Sequence, residues 1–160
     1  MSDQVMRPED AAAPSAAHPY ILFSVAGTTY GLRSHQVQHM EMVEHVTPVP
    51  NAPGFVEGVV FSRGQVVPVL NLRVRFGFDR APRDLRTRLL VVQHEGRRVG
   101  LMADEAREFI PIPDSSIQPP NEGIVGLSGN YLTGVATLGE RIVLILDISE
   151  VVDTTRIATA

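Results

Sequence analysis

The side chains that could do chemistry in these 160 residues are few, and two residue types are missing altogether. There is no Cys, which excludes thiol catalysis, disulfides and thiolate zinc sites. There is no Lys either. All 14 basic residues are Arg, which removes a Walker-type lysine, a Schiff base and a catalytic Lys–Glu pair. His35 and His39 stand four apart with His45 following, a spacing at which two imidazoles on one helix face can hold zinc. No Glu lies between them in metalloprotease spacing, and an extended stretch after Met40 removes the shared face, so solvated surface histidines are the better reading. Asp104, Glu105 and Glu108 follow an apolar run. Paired carboxylates can move protons, but at a strand-to-helix junction they serve better as helix caps. Arg73, Arg75, Arg80, Arg83, Arg86 and Arg88 gather around Phe76 and Phe78, a mixture able to stack on bases. Asp79 and Asp84 dilute that edge, so a partner-facing surface is preferred, and RNA binding through the Arg73–Arg88 edge is kept as the alternative function. No GxGxxG or GxSxG motif is present, and the residues assemble no catalytic site and no cofactor site, so an enzyme is not expected.

One turn stands out instead. In "GVVFSRGQVVPVLNL", Gly58 to Leu72, two apolar strands meet at Arg63–Gly64. Gly64 supplies the positive φ of a two-residue hairpin turn, and Arg63 is a candidate contact because its planar fork makes directional bonds.

The elements that would position these residues are mostly strands. "YILFSVAGTTYGLR" reads as a hairpin turning at Ala26–Gly27, with order beginning near Tyr20. Ser34 is placed as the cap of a short helix with Val37 and Met40 on one face. "NAPGFVEG" reads as one helical turn capped by Asn51, and "NLRVRFGF" as a short helix or irregular edge. A hairpin turning at Glu95–Gly96 follows, then a helical or extended "EAREFIPIP", a flexible "NEGIVGLSGN", and a last hairpin turning at Gly139–Glu140. "DISEVVDTTRI" closes as a helix, with Asp147 and Glu150 in capping-box spacing. Two blocks repeat in order. Gly58 lies on Gly134 at a shift of 76 residues, carrying Val66, Val67, Val69 and Leu70 onto Ile142, Val143, Ile145 and Leu146. Gly27 lies on Gly96 at a shift of 69, carrying Tyr30-Gly31-Leu32 onto Val99-Gly100-Leu101. The expected class is mainly β, two similar small β lobes, with short helices and a C-terminal helix. Residues 1–18 and 154–160 are expected as tails, and 19–153 as one unit of two interlocked lobes linked near 80–87. A net charge of −4 argues against a general nucleic-acid binder, and no apolar run approaches a membrane span. No secretory signal is read at the start, so the cytoplasm is expected.

"TPVPNAPGFVEGVVFSRGQVVPVLNLRVRFG", with "VGLMAD" and "IVLILDISEVV", resembles the CheW family of bacterial chemotaxis adaptors, and the resemblance runs from about Tyr20 to Val152. It implies two five-stranded SH3-like β barrels sharing an apolar core. It implies a scaffold without catalysis that couples chemoreceptors to a chemotaxis histidine kinase. One surface would bind the receptor's cytoplasmic tip and another the kinase regulatory domain. The protein would be cytoplasmic and recruited to membrane receptor arrays, with no nucleic acid, no membrane insertion and no cofactor. Carried over by motif, Val37, Gly58 and Arg63 are implied partner-binding positions, with Gly134 as the repeat of Gly58, and His39, Glu41, Phe61 and Gly64 beside them complete the expected partner-binding set. Two positions depart from the family. Phe61–Ser62 precede Arg-Gly, and His39 stands where the family has a Glu able to pair with the arginine. Glu41, two residues on, is the expected replacement partner for Arg63.

Overall fold

The computed structural model describes residues 16–121 and 129–153. Eleven strands form among these residues: β1 Ala17–Val25, β2 Thr28–Arg33, β3 Val37–Met42, β4 Val56–Ser62, β5 Gln65–Asn71, β6 Arg88–His94, β7 Arg97–Ala103, β8 Glu105–Pro113, β9 Ile117–Gln118, β10 Leu132–Leu138 and β11 Arg141–Leu146. Two four-residue helices follow the hairpin ends, α1 Leu72–Arg75 and α2 Ile148–Val151. The strands form two sheets, ordered β8-β1-β2-β11-β10-β9 and β3-β6-β7-β5-β4. The sixth strand of the first is the two-residue β9, and a Thr47–Val59 bridge stands in its place in the second.

Both repeats hold in three dimensions. Val56 pairs with Leu70 and Gly58 with Val69, while Leu132 pairs with Leu146 and Gly134 with Ile145, each across a bulge at the same step. Gly31 lies beside Ile145 and Gly100 beside Val69 in the two parallel ladders. The pairing adds what the repeat alone does not contain. β3 follows the β1–β2 hairpin in sequence but joins β6, and β8 follows the β6–β7 hairpin but joins β1. The lobes therefore exchange their third strands. One lobe is continuous (β3 to β7) and the other is assembled from β1–β2 and β8–β11. The chain passes between sheets at 33–37 and again at 103–105, whereas the 80–87 connection joins α1 to β6 inside the continuous lobe.

β6 is buried on both faces from Leu89 to Val92, which is why "RLLVVQ" reads as an unbroken apolar run, whereas in "IVLIL" Val143, Ile145 and Leu146 are buried and Ile142 is exposed. Val60, Val67, Val69, Leu89 and Val91 fill the continuous lobe. Tyr20, Leu22, Ile112, Val143 and Ile145 fill the other. Between them lies a shared core from both sheets, with Phe23, Tyr30, Leu32, Leu70, Phe76 and Leu101.

Several local expectations are corrected. β1 starts at Ala17, ahead of Tyr20, so residues 17 and 18 belong to the sheet, while 1–15 lie outside the described residues. Ser34–Gln36 is one 3-10 turn without a side-chain cap, and Val37–Met42 is strand, not helix. "NAPGFVEG" makes two turns with Asn51 at φ 63 and no helix. "EAREFIPIP" is extended throughout, so Asp104, Glu105 and Glu108 cap no helix. The Asp147 side chain accepts from the Ser149 N–H, so the predicted capping box is replaced by a shorter cap, and α2 is four residues long. Most of "NEGIVGLSGN" (122–128) and the expected tail at 154–160 lie outside the described residues.

Candidate functional site

The sheet of the continuous lobe has β3 and β4 at its two ends, and side chains join them. The Ser62 hydroxyl donates to Glu41 Oε2 at 2.7 Å, and His39 Nε2 lies 2.7 Å from the same oxygen and 3.2 Å from Ser62 Oγ. Ser62 is buried and the His39 side chain is 8% exposed, while the Glu41 side chain is 33% exposed, so the cluster opens to water at its carboxylate. Three such residue types invite comparison with a hydrolytic triad, but the wiring differs. One imidazole nitrogen faces both partners, and the serine proton points to the carboxylate, not to the base that would have to remove it. The cluster is a latch between the edge strands, supported at the same seam by paired backbone bonds between Thr47 and Val59 of 2.8 and 2.9 Å.

Gly58 makes that seam possible. At φ 147, a Cβ there would stand 2.2 Å from the Thr47 carbonyl oxygen. Gly134 stands at the repeat-related place in the other lobe, where a Cβ would meet the Ile117 Cγ2 methyl at 2.7 Å and the Gln118 carbonyl oxygen only at 3.4 Å. Both glycines are buried, so they shape the surface without forming part of it. Val37 is half-buried and packs against the shared core.

The β4–β5 hairpin carries the exposed side chains. Arg63 at φ 50 and Gly64 at φ 81 form the two-residue turn that matches strand twist. Arg63 is exposed and makes no hydrogen bond or ion pair among the described residues. The expected Arg63–Glu41 pair is therefore absent, because His39 and Ser62 already hold Glu41. Beside Arg63, Phe61 is 76% exposed and faces Val66, 66% exposed, across the hairpin. On β3 the outward Met40 lines an apolar groove with Ile21, Ala106 and Phe109, rimmed by Glu108. Met40 and Phe109 are repeat-related (a shift of 69), so the groove straddles the strand exchange between the lobes. Sequence reasoning missed this groove. Its signal was the outward row Gln38, Met40, Met42, which the helical reading of that segment hid.

The Arg73–Arg88 edge is spent internally. Arg73 pairs with Asp104, raising the Arg73 pKa, and Asp104 also accepts from the Ala26 N–H at 2.8 Å. Arg75 is buried, donates to the Val151, Glu150 and Asp153 carbonyls, and stacks over Phe55 at 4.0 Å. Arg80 pairs with Glu57, Arg86 with Asp84, and Arg88 donates to the Leu85 carbonyl. Of the six, only Arg83 makes no hydrogen bond or ion pair among the described residues. Among the described residues no group of three His, Asp or Glu side chains could hold a metal, and no helix is long and apolar enough to cross a membrane.

Three comparisons bear on this arrangement. A family model described as the CheW-like domain matches residues 19–156. Chemotaxis protein CheW of Klebsiella aerogenes is 30% identical over 147 residues, covering 92% of this chain and 89% of that protein. Protein FrzA of Myxococcus xanthus is 30% identical over 155 residues, covering 94% and 96%. The crystal structure of the scaffolding protein TtCheW from Thermoanaerobacter tengcongensis superposes with a TM-score of 0.78 at 29% identity, covering 82% of this chain and 90% of that one.

Proposed function

Because the chain belongs to the CheW-like domain family, whose members are non-catalytic chemotaxis coupling scaffolds, we propose that its β4–β5 hairpin and its interlobe groove are the surfaces that engage a receptor and a kinase. The observation that carries this is Arg63. A tight turn holds it out of the fold, nothing in the described chain pairs with it, and exposed Phe61 and Val66 flank it. A guanidinium beside apolar surface is the composition of an interface hot spot. The Met40–Phe109 groove offers an apolar channel in which one helix of a receptor's cytoplasmic tip can lay its apolar stripe. β3 connects the two surfaces. Met40 on its outward face lines the groove, and on its other face His39 and Glu41 hold Ser62, the residue before Arg63. The kinase regulatory domain is the second partner. The protein works in the cytoplasm, recruited to membrane receptor arrays by those contacts. An RNA-binding role loses its basis, because five of the six arginines on the Arg73–Arg88 edge are engaged within the chain.

Co-sedimentation of the full chain with receptor-tip fragments and the cognate kinase tests the proposal. Assembly that raises kinase activity, and that weakens at least about tenfold with Arg63→Ala, is expected. Assembly untouched by Arg63→Ala and by Met40→Asp would overturn the assignment of both surfaces.

A further inference from the structure

A second cleft lies away from the interlobe groove. The parallel ladder between β5 and β7 begins at Val69 and Gly100, and the residue just before it is Pro68, which has no N–H to extend the pairing. Beyond that point the two strands part and leave a gap of about 330 Å³. Val56, Val66, Pro68, Leu70, Val99 and Val152 give it an apolar lining, and Arg97 and Arg98 stand at its edge. Neither arginine makes a side-chain hydrogen bond or ion pair among the described residues, and Arg98 Nη1 is buried with no acceptor. A desolvated guanidinium nitrogen without an acceptor costs free energy that an incoming oxygen would recover.

The chain supplies its own control. At the repeat-related place in the other lobe, Gly27-Thr28-Thr29-Tyr30 stands for Gly96-Arg97-Arg98-Val99, and Leu144 stands for Pro68. There the ladder continues, with Leu144 paired to Tyr30. The fold is built without the proline and without the arginine pair, so these features are not structural necessities.

We propose that the β5–β7 cleft is a docking site for an acidic segment of a partner protein, one apolar side chain entering the gap while flanking carboxylates meet Arg97 and Arg98. The site shares Val66 with the β4–β5 hairpin surface but includes neither Arg63 nor Met40 and Phe109, so its failure leaves the proposed function standing and the reverse also holds.

The test uses the full chain, isotope-labelled for NMR, titrated with the synthetic peptide Asp-Glu-Asp-Leu-Asp-Glu-Asp. Two controls replace its Leu by Ser or its acids by Lys. Amide shifts confined to the 65–70 and 96–99 segments, saturating by about 1 mM and weakening as salt rises, are expected. The Leu→Ser peptide should bind more weakly, and the Lys peptide should not bind. Arg97→Thr with Arg98→Thr restores the residues of the other lobe and so should fold. It should weaken peptide binding about tenfold or more, while Arg63→Ala leaves binding unchanged. Equal shifts with the Lys peptide, no shifts at several millimolar, shifts at Met40 and Phe109 instead, or concentration-dependent shifts at the cleft without peptide would each overturn the proposal. The last outcome would make a second copy of this chain the occupant.

Discussion

Replacing Gly58 by Ala should damage the protein far more than replacing Gly134 by Ala, although the two glycines are repeat-related. At Gly58 the new Cβ meets main chain, 2.2 Å from the Thr47 oxygen and 2.8 Å from its carbonyl carbon, at a φ of 147 that side chains rarely adopt. The backbone conformation alone costs roughly 1–3 kcal/mol. Relieving the clash pushes Thr47 away and loses its two hydrogen bonds to Val59, each worth about 1 kcal/mol. The sum is about 3–5 kcal/mol, which for a domain of this size lowers Tm by roughly 6–20 °C. At Gly134 the first obstacle is the Ile117 Cγ2 methyl at 2.7 Å, with main chain at 3.4 Å, and φ is not in the left-handed region. A side-chain adjustment there costs about 1 kcal/mol, partly offset by a less flexible unfolded chain. Thermal and urea unfolding of the two variants give the comparison, and hydrogen exchange at the Val59 amide reports the seam directly. Equal losses, or a larger loss for Gly134→Ala, would refute the reasoning from backbone clearance.

Other outcomes follow from the same contacts. Arg75→Ala should lose about 2–4 kcal/mol in urea unfolding and speed amide exchange in α2, because three main-chain carbonyls lose their donor and Phe55 its cover. Glu57 is desolvated by burial, which raises its pKa, but hydrogen bonds from Arg80 and Asn71 outweigh this and leave it below the ordinary 4.5. Its ionised form therefore stabilises the fold above pH 4.5, and that part is lost as pH falls through the lowered folded value. Glu57→Gln should flatten this component of the acid limb in a stability–pH series. Arg63→Ala and Glu41→Ala should be additive in receptor binding to within about 0.5 kcal/mol, because Glu41 is bonded to His39 and Ser62 and not to Arg63. Coupling well above that value would restore the direct pair.

The sequence made the hairpins legible because each has a turn residue of forced conformation, Gly27, Gly64, Gly96 or Gly139, between apolar runs. The repeat was legible for the same reason. β3 was read as helix because Val37 and Met40 also fit a three-residue step, and because its inward side chains include His39 and Glu41, which look like surface. They tolerate burial only by bonding Ser62, 21 residues or more away, a partner that no local pattern reveals. β8 was left open between helix and strand because Pro111 and Pro113 weaken the strand signal. They fit because β8 is an edge of its sheet, where a missing N–H need not break a ladder. Arg63 was picked out correctly as an exposed turn residue, but the expected Glu41 contact depended on a competition among side chains that spacing alone does not decide.

The exchange of third strands also sets an order of events during synthesis. Everything the continuous lobe needs, from β3 to β7, has emerged by Ala103, so that lobe can close while the ribosome is still working. The β1–β2 hairpin, made first, has no sheet of its own until β8 and β11 arrive. This early hairpin is thus the last to find its neighbours: its β1 edge waits about 80 residues of elongation for β8 and its β2 edge about 110 for β11, open meanwhile to any other strand in reach.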